Sequence, residues 1–213
     1  YYRSDHSSGS VQWILESNYF LGYQGGKNVA PVLTDIDGDD DLDLLVGNQS
    51  GSIHYWENKG ISEIADFVYN PTVFIGVTSG RNSVPAVIDL NADGKKDLLM
   101  GKFNGQLYKY IRKDLGKEFR FILERRKYLD LDVGLGSVPV IADLNNDQQS
   151  ELIIGSDSGK IFSYRPNSEN QGTNAWKKSE DYFKELKLPV GGNPVFADLD
   201  KDGDLDLIIG SEA

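Results

Sequence analysis

Cysteine is absent from the 213 residues, which excludes disulfides, a thiolate nucleophile and any cysteine-based metal site. Histidine is nearly absent as well. The two copies, His6 and His54, stand in no Ser/His/Asp or His/carboxylate pattern, and the chain reads as non-catalytic. His54 lies in an alternating segment and is expected to face solvent; His6 lies in a polar stretch expected to be a loop. No run of 18 apolar residues exists, so membrane insertion by a helix is not expected. No signal peptide is visible, and the start at Tyr1-Tyr2-Arg3 reads as that of a processed or excised segment. Helical periodicity is weak everywhere. A basic excess is also missing: 22 basic residues stand against 33 acidic ones, for a formal charge of −11. The clusters Arg125–Lys127 and Lys177–Lys178 are too short and isolated to argue for nucleic acid, and read as solvated faces.

What the chain does contain is an acidic loop repeated four times, its first aspartates 54, 54 and 55 residues apart. The copies run Asp35 to Asp43, Asp89 to Asp97, Asp143 to Glu151 and Asp198 to Asp206. In each, oxygen-bearing side chains occupy positions 1, 3, 5 and 9, and position 7 is free to offer its carbonyl. A hard cation seeking six to eight oxygens from a short turn asks for that pattern, and calcium is the ion it favours. Seventeen of the 33 acids sit in these loops, so the acidity is local and reports metal sites rather than a basic partner.

A scaffold repeats around each loop. Four residues before each first aspartate stands a proline, Pro31, Pro85, Pro139 and Pro194; twelve residues after it stands a glycine, Gly47, Gly101, Gly155 and Gly210. Between loop and glycine run the apolar stretches Leu42–Val46, Leu98–Met100, Leu152–Ile154 and Leu205–Ile209, too short for helices and expected to be buried strands. Three copies continue into alternating aromatic segments, Gly51–Trp56, Gly105–Tyr110 and Gly159–Tyr164, which read as third strands. A looser fourth strand is expected around residues 67–74, 119–123 and 182–188. The fold class that follows is all-β: a β-propeller of four-stranded blades, in about four repeats of 54 residues. The repeats run over residues 31–84, 85–138, 139–193, and 194–213 paired with 1–30.

An EF-hand also begins Asp-x-Asp-x-Asp, and Gly94 and Gly203 fall at its sixth position. It requires a bidentate Glu at position 12 on an exiting helix, where this chain has Val46, Met100, Ile154 and Ile209 in strands. The same failure argues against dockerin-type repeats.

The pattern Pro-x-x-x-Asp-x-Asp-Gly-Asp-x-x-x-Asp-Leu, followed by an apolar strand and Gly, resembles the FG-GAP/VCBS repeat, a family that includes the propeller of integrin alpha subunits and many bacterial surface proteins. The resemblance covers essentially the whole chain. It implies calcium, up to four ions, in the hairpin between the first two strands of each blade. Carried over by position, the ligands are Asp35, Asp37, Asp39 and Asp43; Asp89, Asn91, Asp93 and Asp97; Asp143, Asn145, Asp147 and Glu151; Asp198, Asp200, Asp202 and Asp206. The carbonyls of Asp41, Lys95, Gln149 and Asp204 complete the shells. Loop 3, which lacks glycine, is expected to be the weakest site. Such loops suit millimolar calcium, so a secreted or cell-surface location is expected. Asn48-Gln49-Ser50 forms one N-glycosylation sequon.

The two ends of the sequence look complementary. Tyr2-Arg3 resembles Tyr164-Arg165, and Trp13 with Tyr19-Phe20 resembles Trp176 with Tyr182-Phe183 at the same spacing. Two readings are open: the end segments join to close a four-bladed ring, or the four repeats are a stretch of a longer propeller, the latter favoured because four blades is the low extreme. For ligand binding, Trp56 and Trp176 stand out. Trp56 is expected on the strand face opposite Tyr55, and Trp176 in a polar segment, where exposed rings would suit stacking on sugars. The expected function is an adhesion or recognition module binding protein or glycan. The alternatives are a subunit of a self-assembling extracellular filament, and a non-catalytic accessory propeller of a larger enzyme.

Overall fold

The computed structural model describes residues 2–5, 12–15, 20–61, 64–78, 80–167, 176–179, 182–183, 185–186 and 190–210; His6 and Tyr19 lie outside them. A two-stranded hairpin comes first, β1 (Tyr2–Asp5) with β2 (Gln12–Leu15). The first complete sheet is β3 (Ala30–Thr34), β4 (Asp43–Gly47), β5 (Ile53–Asn58) and β6 (Phe67–Tyr69), in that order. The second is β7 (Val84–Ile88), β8 (Asp97–Gly101), β9 (Leu107–Leu115) and β10 (Glu118–Arg125). The third is β11 (Val138–Ala142), β12 (Glu151–Gly155), β13 (Ile161–Pro166) and β14 (Trp176–Ser179). A hairpin of β15 (Asn193–Ala197) and β16 (Asp206–Gly210) closes the described residues. Every pairing is antiparallel and joins neighbours in sequence, as short turns dictate.

Three of the four apolar runs after the acidic loops become second strands buried on both faces, β4, β8 and β12, while the run Leu205–Ile209, expected to be buried as well, does not. Along β8, Leu98 and Met100 point into a core shared with Leu45 and Tyr55 of the first sheet and Phe74 of the turn after it, while Leu99 joins Leu152 and Ile154 of the third. Alternation at period two thus lets one strand serve two cores, and the sheets pack face to face. The first strands β3, β7, β11 and β15 line a common cavity of about 1120 Å³. Every residue of β4, β8 and β12 is buried, whereas β16 alternates exposed and half-buried residues, with Ile208 and Leu205 open to solvent.

The repeated glycines mark where adjacent sheets meet. A Cβ at Gly47 would lie 2.1 Å from the Ser83 carbonyl oxygen, and one at Gly101 would lie 2.0 Å from that of Ser137. Side-chain hydroxyls reinforce the seam: Ser83 Oγ donates to the Ser52 carbonyl at 2.7 Å and Ser137 Oγ to that of Gln106 at 2.7 Å.

The fourth strand of the second sheet, β10, covers the expected residues 119–123, but those of the first and third sheets differ from expectation. β6 ends at Tyr69, because Asn70 Oδ1 accepts the Thr72 amide and hydroxyl and opens a turn in which Val73 and Phe74 enter the core. In the third sheet the fourth strand is β14, upstream of residues 182–188; of the latter, the described residues 182, 183, 185 and 186 form no strand.

Candidate metal centres

Each acidic loop is the hairpin between the first and second strands of its sheet. The ladders end with Thr34 opposite Asp43, Ile88 opposite Asp97, Ala142 opposite Glu151 and Ala197 opposite Asp206, so position 9 opens the second strand. All four loops use the left-handed region at positions 4 and 6: Gly38 and Asp40, Ala92 and Gly94, Asn146 and Gln148, Lys201 and Gly203. Loop 3 therefore adopts the same turn without glycine, Gln148 taking a φ of 67° that costs an ordinary side chain strain.

The carboxylates hold this backbone. The position 6 amide donates to Oδ2 of the first aspartate at 3.2 Å in Asp35, 2.8 Å in Asp89, 2.8 Å in Asp143 and 3.1 Å in Asp198. Asp41, Lys95, Gln149 and Asp204 donate their amides to the carboxylates of Asp39, Asp93, Asp147 and Asp202 at 2.8 to 3.0 Å. Asp43, Asp97 and Glu151 are fully buried and accept the amides of Ile36, Leu90 and Leu144 at 3.1, 3.1 and 2.8 Å. Asp206 accepts that of Leu199 at 2.9 Å but is exposed.

The structure brings together carboxylate oxygens of Asp35, Asp37 and Asp39, and separately of Asp198, Asp200 and Asp206, each set within 4.8 Å. In loops 2 and 3 the position 3 asparagines turn their amide groups inward instead, Asn91 Nδ2 donating to Asp93 at 3.2 Å and Asn145 Nδ2 to Asp147 at 3.1 Å. Loop 1 has the most polarised environment. Burial and the carboxylates of Asp43, Asp39, Glu57 and Asp35 push the Asp37 carboxyl up to about 6. Burial likewise raises Asp43, Asp97 and Glu151, against the opposing pull of the amides they accept. Asp37 Oδ1 is buried without a hydrogen-bond partner. An orphaned carboxylate oxygen amid like charges is what a hard divalent cation neutralises and satisfies, so loop 1 fits calcium.

Several expectations are corrected here. Trp56 does face away from Tyr55, but it is only 5% exposed, packed with Leu44, Val46, Tyr23 and Phe67. Trp176 is half-buried on β14 against the core between the second and third sheets. Neither ring is the open stacking platform expected. His54 is half-buried rather than solvent-facing: it sits among Tyr23, Trp56 and Tyr69, with Nδ1 3.2 Å from the Tyr69 hydroxyl, and burial lowers its pKa. The sequon asparagine is 4% exposed, its Oδ1 accepting Ser50 and Ser52 amides and its Nδ2 donating to Tyr23, so it is not available for glycosylation in the folded chain. Sequence reading missed Arg112 and Glu57, which reach loop 1 from β9 and β5; Arg112 meets it across 76 positions, and no local pattern could signal that.

These features define an all-β protein of repeated four-stranded antiparallel sheets, each bearing an acidic turn between its first two strands. The FG-GAP-like repeat model matches residues 35–100 and 143–209, more than half of the sequence, and the chain belongs to that family. Repeats of this family often bind calcium. The chain is 25% identical over 198 residues to cartilage acidic protein 1 of Xenopus tropicalis, covering 88% of the chain and 29% of that relative. It is 26% identical over 198 residues to the Homo sapiens protein of the same name, covering 88% and 28%, and 25% identical over 193 residues to that of Mus musculus, covering 86% and 28%. The chain thus spans less than a third of the length of these relatives. Among the described residues no helix is long and apolar enough to cross a membrane.

Proposed function

We propose that this chain is a calcium-stabilised, non-catalytic β-propeller module of a secreted or surface protein, serving adhesion or recognition of a protein ligand. The observation that carries the reading is the buried, unpartnered Asp37 Oδ1 within the Asp35, Asp37 and Asp39 cluster. Bound calcium would supply positive charge that offsets carboxylate repulsion and ties the two strands of each hairpin together. Loops 1 and 4, with three carboxylates gathered in each, are the stronger sites; loops 2 and 3, with asparagine at position 3, are weaker. The relatives' name places them in cartilage, which supports an extracellular setting where calcium is millimolar. A protein ligand is preferred to a glycan because neither Trp56 nor Trp176 offers an open ring.

Self-assembly is the second reading. It is favoured by β16, which among the described residues pairs with β15 alone, and by the exposure of Val195, Leu199, Leu205 and Ile208 in that hairpin. Native mass spectrometry with and without calcium tests both. A monomer carrying calcium ions supports the recognition module, ordered oligomers support assembly, and a chain that takes up no calcium overturns the metal reading.

A further inference from the structure

Arg112, on the third strand of the second sheet, joins the first two acidic loops. Its amide donates to Asp97 Oδ1 at 2.9 Å, the ninth position of loop 2. Its guanidinium reaches back to the first sheet, where Nη1 donates to the Ile36 carbonyl at 2.7 Å and lies 3.5 Å from that of Asp37, positions 2 and 3 of loop 1. Nε donates to Asp114 Oδ1 at 2.9 Å, and Asp114 Oδ2 is held by Nζ of Lys95, position 7 of loop 2. The Phe119 ring beneath the guanidinium, 3.9 Å from its carbon, fixes the fork in place. The Arg112 side chain is only 13% exposed, so its bonds to the loop 1 carbonyls are partly shielded from water, whereas Asp114 and Lys95 are more open to solvent.

The strut belongs to this repeat in particular. The residue at the same place on β5 is Asn58, which donates to Leu42 of its own loop at 3.3 Å, and on β13 it is Pro166, which has no donor.

We propose that Arg112 is a positioning residue that couples cation binding at loop 1 to cation binding at loop 2. The inference rests on the calcium reading above. A cation in loop 2 orders Lys95 and Asp97; through Asp114 and its own amide, Arg112 is then held where its guanidinium fixes the backbone of Ile36 and Asp37. Loop 1 reaches its binding geometry at lower entropic cost, and the effect is reciprocal because coupling free energies are.

The test is a calcium titration of the EDTA-stripped chain followed by the amide resonances of Gly38, Gly94 and Gly203, which report loops 1, 2 and 4. Disabling loop 2 with Asp89→Asn and Asp93→Asn is expected to raise the calcium concentration that half-saturates Gly38 by about fivefold or more, as typical couplings do. In an Arg112→Met background that shift disappears, while the Gly203 midpoint stays where it was. A Gly38 shift of equal size with and without Arg112, or no shift, overturns the coupling. A Gly203 midpoint that moves along with Gly38 assigns Arg112 a merely structural role and overturns it too. No calcium response at any glycine of the wild-type chain overturns the calcium reading itself. Should Arg112→Met fail to fold, Arg112→Lys, which cannot hold Asp114 and Ile36 together, takes its place with the same expected loss of coupling.

Discussion

The main-chain amide of Asn58 donates to Asp43 Oδ1 at 2.8 Å, while the other carboxylate oxygen accepts Ile36 at 3.1 Å. One fully buried side chain thereby ties the start of loop 1 to the end of the third strand. Asp97 repeats the arrangement with Arg112 and Leu90 at 2.9 and 3.1 Å. In the third sheet the corresponding strand residue is Pro166, which has no N–H to give. The ninth acid is therefore part of the sheet before it is anything to a metal.

Asp43→Ala should destabilise the calcium-free protein by about 2–4 kcal/mol, because two buried amides lose their acceptor. Asp206→Ala, at an exposed position, should cost about 1 kcal/mol or less. Urea unfolding in EDTA measures both, and equal losses would show that the buried carboxylate is not a structural tie.

Calcium removal should lower the melting temperature. An ion bound only to the folded chain at a hundred times its Kd stabilises by about 2.7 kcal/mol per site. Scanning calorimetry with calcium and with EDTA reads this directly; coincident transitions contradict the metal assignment.

The Asp37 carboxyl, pushed up to about 6 from an ordinary 3.8, holds its proton more tightly in the folded calcium-free chain than in the unfolded one. Its contribution to stability is therefore fully present below about pH 4 and is lost as pH rises through about 6. The proton also competes with calcium, so calcium affinity should climb over the same window and level off above it. Calorimetric titrations at pH 5 and pH 7 check the sign: tighter binding at pH 5 would refute it.

Gly101→Ala should destabilise by about 1–3 kcal/mol or more, since its Cβ would sit 2.0 Å from a main-chain oxygen of the next sheet and backbone cannot step aside cheaply. Gly210→Ala should be nearly neutral: its Cβ would meet Asn193 Cβ at 3.7 Å and nothing closer among the described residues. Thermal melts of the two variants decide whether the repeated glycine serves the seam between sheets.

Much of the fold was legible because each repeat carries its own local signals. Proline before the first strand, an acidic turn and an apolar run specify a hairpin by backbone chemistry alone. The fourth strand around residues 119–123 was legible as β10, but those of the first and third sheets carried no comparable signal. Residues 67–74 are apolar and β-prone, yet Asn70 ends the strand after three residues, and β14 is built from the polar run Trp176–Ser179. The aromatic positions misled for a related reason. Alternation told which side of β5 Trp56 faces, but that side became an interior because Tyr23 and Phe67 cover it.

From its sequence alone the chain determined the four-fold repeat, the antiparallel hairpins and the identity of the acidic loop residues, since spacing and side-chain chemistry act over ten or fifteen residues. Only the tertiary structure decided which carboxylates converge, which are consumed by main-chain amides, and which loops touch. Burial of Asp37, the reach of Arg112 across 76 positions and the seam at Gly47 all depend on one sheet lying against the next. Contacts of that range are set by packing between repeats, and no single repeat encodes its neighbour.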